Sequence, residues 1–198
     1  MTNPATIDTI ETTLKETAQL HADLPEAQRA RIAQAAALMT ETLRAGRKII
    51  WFGNGGSATQ SQHMAAEFVG RFQQERRSLP SISLTENMAS VTAIGNDYAF
   101  AQIFSRQLEG LAQPGDVAIG LSTSGNSLNV VEALRAASAL QVKTIGLTGG
   151  TGGRMAGHCD ICICVPSAVT ARIQEVHLTI GHLLCALVED ALLPKRAA

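Results

Sequence analysis

Strong net charge is absent from this chain. Sixteen basic residues stand against 17 acidic ones, a formal charge of −1, so there is no bulk field to draw in nucleic acid or an anionic membrane. Any anion must be caught by a local site. Long apolar runs are missing too: no segment approaches the ~18 consecutive apolar residues of a membrane span. Met1 to Glu11 carries Asp8 and Glu11 instead of the basic start and apolar run of a secretory signal. The expectation is a cytoplasmic protein with neither nucleic acid nor membrane as partner. Four cysteines are too few for a disulfide scaffold. Cys159 and Cys162 match C-x-x-C, but no second such pair completes a tetrahedral metal site. The run from Cys159 to Val165 reads as a strand, on which positions 159 and 162 face opposite ways. They are read as buried strand thiols, and Cys185, in an apolar helical run, as core.

What is present describes a globular protein. With 198 residues, 45% of them hydrophobic and 17% charged, the chain can bury one full core. Apolar positions from Ile7 to Leu20 recur at helical spacing until Pro25. A second helix, Glu26 to Leu43, carries Ile32, Ala35, Leu38, Met39 and Leu43 on one stripe and ends near Gly46. Residues 1–46 therefore form a helical arm ahead of the main domain, 47–198.

From Lys48 onward short apolar strands alternate with helices. The strands are Lys48–Phe52, Ser81–Leu84, Val117–Leu121, Val142–Leu147 and Ile161–Val165. The helices are about Ala58–Phe72, Met88–Ile94, Ala101–Ala112, Leu128–Leu140 and Ala171–Leu192, with Gly95-Asn96-Asp97 as a loop. This alternation predicts an α/β fold, a doubly wound and mainly parallel five-stranded sheet flanked by helices.

In such folds ligands bind beyond the carboxyl ends of strands. Two loops there stand out. Gly53-Asn54-Gly55-Gly56-Ser57 lets backbone amides approach a ligand closely, but Ala58 spoils the dinucleotide pattern and no Gly-Lys-Ser/Thr follows. Ser122-Thr123-Ser124-Gly125-Asn126-Ser127 puts four hydroxyls in six residues at a helix start, where donors and the positive dipole end suit a phosphate monoester. Capping by Ser124 or Ser127 would account for only one or two of them.

His63 and Glu67, four apart on a helix, share a face; by themselves they read more readily as a surface pair than as a site. Gln174 and His182, eight apart, lie about 80° from each other around the last helix, so both can face one cleft. His177 is about 140° from His182 and reads as structural.

Together these motifs carry a resemblance. The glycine loop, Gln62-His63-x-x-x-Glu67, Ala93-Ile94-Gly95-Asn96-Asp97, the serine loop and Arg172-Ile173-Gln174-Glu175-x-His177 are similar to the phosphoheptose isomerases, in the family's order from about residue 30 onward. The resemblance implies a sugar isomerase (SIS) fold, a homotetramer and active sites built between subunits. It implies interconversion of sedoheptulose 7-phosphate and D-glycero-D-manno-heptose 7-phosphate through an enediol, feeding lipopolysaccharide heptose, with Glu67 and His182 as the catalytic pair. Implied substrate contacts are Asn54, Gly55, Gly56, Ser57, Glu67, Asn96, Asp97, Ser122, Thr123, Ser124, Ser127 and Gln174. One Zn²⁺ per subunit is implied on His63, Glu67, Gln174 and His182. Many members have Asp where this chain has Gln60, so a carboxylate partner for a metal-bound imidazole is missing here. Two alternatives remain: an isomerase of another sugar phosphate, or a non-catalytic SIS protein that binds the replication initiator DnaA. The latter resembles this chain around Glu75 to Pro80 but lacks residues equivalent to Glu67 and His182.

Overall fold

The computed structural model describes residues 3–193. Helix α1 (Pro4–Ala22) begins where Asn3 accepts a hydrogen bond from the Ala5 amide, with Pro4 in the first turn, where its missing N–H costs nothing. Helix α2 (Glu26–Arg44) follows Pro25. The remainder alternates as β1 (Ile49–Gly53), α3 (Gly56–Val69), β2 (Ser81–Ser83), α4 (Met88–Asp97), α5 (Ser105–Leu111), β3 (Val117–Ser122), α6 (Leu128–Ala139), β4 (Lys143–Gly149), β5 (Ile161–Val165) and α7 (Thr170–Leu192).

All five strands are parallel, in the order β2-β1-β3-β4-β5. Side chains alternate between the sheet's faces. Ile49 and Trp51 of β1 join one core with α2, α3 and α7, while Ile50 and Phe52 join the other with α5 and α6. Burial on both faces explains why the strands read as near-continuous apolar runs. Of the two arm helices, α2 sinks Ile32, Ala35, Ala36, Met39 and Leu43 into the core, whereas α1 buries nothing. Thr17 and His21 tie α1 to Glu175 and Thr179 of α7.

The expected element bounds need several corrections. Helix α3 starts two residues early, inside the glycine loop, and ends before Phe72. Gly95-Asn96-Asp97 is the last turn of α4 rather than a loop; a glycine costs a helix only ~1 kcal/mol, and the hydrogen-bond ladder continues to Tyr98. The single helix expected over Ala101–Ala112 breaks into a 3-10 turn (Phe100–Gln102) and α5. The chain turns at Ile103 and Phe104, which are both buried. A second 3-10 segment, Gly153–His158, makes the crossover between β4 and β5. Cys159 therefore precedes the strand instead of opening it, and its thiol comes round to Cys162. Strand alternation does not apply across the bend at Asp160, and three of the four cysteines are half-buried rather than buried.

One buried ion pair fixes how α3 ends. Glu189 of α7 accepts hydrogen bonds from the amides of Phe72, Gln73 and Gln74 and from Arg76 Nε at 2.7 Å. Arg76 in turn donates to the carbonyls of Glu67, Phe68 and Gly70, which α3 leaves unpaired at its C-terminus. These bonds hold the Glu189 carboxyl below its ordinary range despite burial. Removing one partner strands a buried charge, so Glu189→Ala is expected to lower unfolding free energy by about 3–5 kcal/mol in urea titrations. A loss below about 1 kcal/mol would show that the clamp is dispensable.

Candidate functional site

The strand order reverses between β1 and β3, so the loops that follow them diverge and leave a crevice at the sheet's carboxyl edge. Paired amides bridge it: Asn54 of the glycine loop and Asn129 of α6 exchange two hydrogen bonds of 2.8 Å. In the glycine loop, Gly55 has φ +53, and a Cβ on Gly56 would stand 2.6 Å from Nε2 of Gln174. Glycine there makes room for the Gln174 amide. Ser57, an expected substrate contact, is buried in the first turn of α3.

On the second loop, Ser122 Oγ lies 2.9 Å from Ser127 Oγ and 3.4 Å from Ser124 Oγ. Ser127 occupies the cap position of α6, but its side chain caps nothing. Simple capping therefore does not explain these hydroxyls: they converge on one another and leave the helix amides to a ligand. Gly125 has φ +66, and any Cβ there would strike the Gly152 backbone. Thr123 and Ser124 line a cavity of about 330 Å³ with the Gly149–Gly153 turn and the start of α7.

Helices α3 and α7 bring the proton-handling candidates together. His63 Nε2 is 3.1 Å from Glu67 Oε1 and 3.1 Å from His182 Nε2. Among the described residues these three form the one His/Cys/Asp/Glu group of metal-binding geometry, with donor atoms within 4.8 Å of one another. The ring of Phe72 stacks on His182 at 5.5 Å. A single Nε2 proton on His63 can serve only one neighbour at a time, so the arrangement favours either a proton or a cation shared at its centre.

Gly181 was missed as a contributor. A Cβ at 181 would run into the Met64 side chain, so the absent side chain sets the close approach of α7 that puts His182 beside His63. The available signal was one glycine inside an apolar helical run.

Other expected residues lie apart. The Gln174 amide packs on Gly56, about two turns ahead of His63 along α3. The Gln60 amide donates to the Gln174 carbonyl at 2.7 Å rather than to His63, and its own oxygen is buried without a partner. Asn96 and Asp97 are exposed and bonded to each other at 2.8 Å, and Asp97 faces a different cavity, of about 570 Å³, with Tyr98 and Arg106.

A zinc ion fits the three-residue group. Two nitrogens bound ~2.0–2.1 Å from a tetrahedral Zn²⁺ stand roughly 3.3 Å apart, close to the observed 3.1 Å, and an imidazole–imidazole–carboxylate donor set is a familiar one for zinc.

A parallel sheet with a hydroxyl-lined helix start after β3 and an acid–imidazole cluster between α3 and α7 fits an α/β protein of the SIS type. The SIS domain family model matches residues 14–149. The phosphoheptose isomerase of Rhodospirillum rubrum is 56% identical over 161 residues, 81% of this chain and 86% of that one. The structure of a phosphoheptose isomerase from Francisella tularensis matches with TM-score 0.90 and 37% identity over 96% of this chain and all of that one. That from Neisseria gonorrhoeae gives 0.87 and 38% over 92% and 98%. The chain belongs to the phosphoheptose isomerase family of SIS-domain proteins. The domain model stops before α7, but a 96% match leaves no room to omit that helix.

His177, as expected, serves structure. It is 1% exposed, donates through Nε2 to the Thr148 carbonyl at 3.2 Å and leaves Nδ1 unpaired. Burial pulls its pKa down from 6.5 to about 4. The unfolded chain therefore binds a proton that the folded chain refuses between those values, and stability falls as pH drops through that window, by about 3 kcal/mol in total. In denaturant titrations the wild type should weaken more steeply from pH 6.5 to pH 4 than His177→Gln; parallel declines would assign the loss to other groups.

Proposed function

We propose that this protein interconverts sedoheptulose 7-phosphate and D-glycero-D-manno-heptose 7-phosphate in the cytoplasm, as a step toward lipopolysaccharide heptose. The observation that carries this reading is the meeting of His63 with Glu67 and with His182, 3.1 Å from each, in a chain 56% identical to a phosphoheptose isomerase. The converging hydroxyls of Ser122, Ser124 and Ser127, with Thr123, take the phosphate at the start of α6. Asn54, Gly55 and Gly56 take the sugar's polar atoms across the crevice.

Moving the carbonyl from C2 to C1 means removing the C1 proton, passing through an enediol and protonating C2. Glu67 performs this carbon-to-carbon transfer; its Oε1 faces His63, which leaves the second oxygen for the substrate proton. His182 moves the proton between the two sugar oxygens, since an imidazole can both accept and return a proton. His63, Glu67 through Oε1, and His182 would hold a Zn²⁺ ion, which would supply Lewis-acid polarisation of the sugar oxygens and leave the second Glu67 oxygen as the base.

The homotetramer completes the site in this reading. Gln174, Asn96 and Asp97 act on a site shared with a neighbouring subunit, which accounts for their distance from the cluster within one chain. Ile7, Ile10 and Leu14, exposed on α1, support a role for the arm, residues 1–46, in subunit contact. No described helix is long and apolar enough to cross a membrane.

Incubation with sedoheptulose 7-phosphate, followed by NMR, should yield the aldoheptose phosphate. Glu67→Gln and His182→Gln should each lower kcat by about 10²–10⁴-fold while the sugar phosphate still binds. Ser124→Ala should raise KM by about tenfold with kcat nearly unchanged. Absence of product at every zinc content would defeat this reading and leave an isomerase of another sugar phosphate or the non-catalytic, initiator-binding protein.

A further inference from the structure

Outside the cleft, three thiols gather on one patch. β5 is an edge strand, paired only with β4. Ile163 and Val165 point into the core shared with α2 and α7, so Cys162 and Cys164 share the opposite face, and their sulfurs lie 3.8 Å apart. The Cys159 thiol joins them from before the bend at Asp160.

Two glycines make the space that these sulfurs fill. A Cβ on Gly146 of β4 would stand 2.6 Å from Cys159 Sγ and 3.6 Å from Cys162 Sγ. One on Gly152, where φ is +94, would stand 3.5 Å from Cys162 Sγ and 3.2 Å from Cys164 Sγ. All three cysteines are free and half-buried, within reach of a small ion.

Electrostatics separates a redox role from a metal role. The Cys159 thiol and burial together push the Cys162 thiol far up. Burial, then its neighbour Cys162, raise Cys164 to about 11. Arg31 of α2, which donates to the Cys162 carbonyl at 3.0 Å, pulls both the other way without prevailing. Each thiolate raises the cost of the next, so Cys162 and Cys164 resist ionisation while no cation is beside them. A cation reverses that balance, because its charge offsets the repulsion.

We propose that Cys159, Cys162 and Cys164 form a binding site for a thiophilic d¹⁰ metal ion, Cu(I) or Zn²⁺. Two sulfurs each ~2.3 Å from a shared ion at a near-tetrahedral angle stand roughly 3.8 Å apart, the spacing that Cys162 and Cys164 already have. Cys159 Sγ stands more than 4.8 Å from at least one of these two sulfurs and completes the set by rotating about χ1. Each ligand releases its thiol proton to solvent as its sulfur lone pair goes to the metal. The donors are all soft, so the site favours Cu(I) more than the imidazole–carboxylate cluster in the cleft does, while Zn²⁺ suits both.

The test is titration of the reduced full-length protein with Cd²⁺ under anaerobic conditions, followed by ultraviolet absorption. Thiolate-to-metal charge transfer reports sulfur ligands and is blind to the His63 cluster. A band saturating at one equivalent is expected, abolished in Cys162→Ser and unchanged in Cys185→Ser. Displacement of Cd²⁺ by Zn²⁺ or by Cu(I) then distinguishes the two ions. Thermal melts establish that each variant is folded; should Cys162→Ser unfold, Cys164→Ala, at a half-exposed position, must show the same loss. No band, a band that survives in the Cys159→Ser/Cys162→Ser/Cys164→Ser variant, or capture of the trio as a disulfide in place of metal binding would overturn the proposal.

Discussion

The approach of α7 to α3 is the constraint on which this molecule turns. Gly181 carries no side chain, so the Met64 side chain lies directly against the α7 backbone. The residues that follow Gly181 and precede Met64 are His182 and His63, and their imidazoles meet as a consequence at 3.1 Å. A larger residue at 181 would force the helices apart, because close-packed interiors do not absorb added volume cheaply. The His63–Glu67–His182 cluster is thus a product of helix packing, supported at its far end by the buried Arg76–Glu189 pair. That pair gathers the last carbonyls of α3, including that of Glu67, and the amides of the chain that follows.

The proposed phosphate site rests on a different device. With a net charge of −1 the chain has no general attraction for anions, and the described serine loop contributes no lysine or arginine. Its hydroxyls turn toward one another and leave the amides at the start of α6 uncapped by Ser127. Gly125 is held in place by the Gly152 backbone, so the loop is shaped by the turn after β4 as well as by β3. The Asn54–Asn129 pair then fixes the distance between the phosphate side and the glycine loop. A site built from oriented dipoles costs little reorganisation when a charged ligand arrives.

Much of this was legible from residue order. The strands announced themselves as apolar runs because both sheet faces are covered, and the two loops were marked by glycine and hydroxyl content at strand ends. His63 and Glu67 could be paired because i and i+4 share a helical face. Other features were not legible, for physical reasons that differ. Asn96 was read as loop because glycine precedes it, yet the helical hydrogen bonds run on past Gly95. Cys159 was read with the strand because its neighbours are apolar, yet the chain bends at Asp160 before pairing begins. Gln60 stands three residues before His63 on α3, yet its amide goes to the Gln174 carbonyl of another helix.

Local chemistry by itself determined the element types, the parallel sheet and the pairing of His63 with Glu67, since those depend on periodicities of two and 3.6 residues. It also named His182 as a polar group in an apolar run. Only the tertiary structure decided that His182 meets His63 across 119 residues of sequence, that Gln174 lodges against Gly56, and that Cys159 turns back toward Cys162. Those encounters depend on how closely packed elements approach, and no local spacing in the chain encodes that distance.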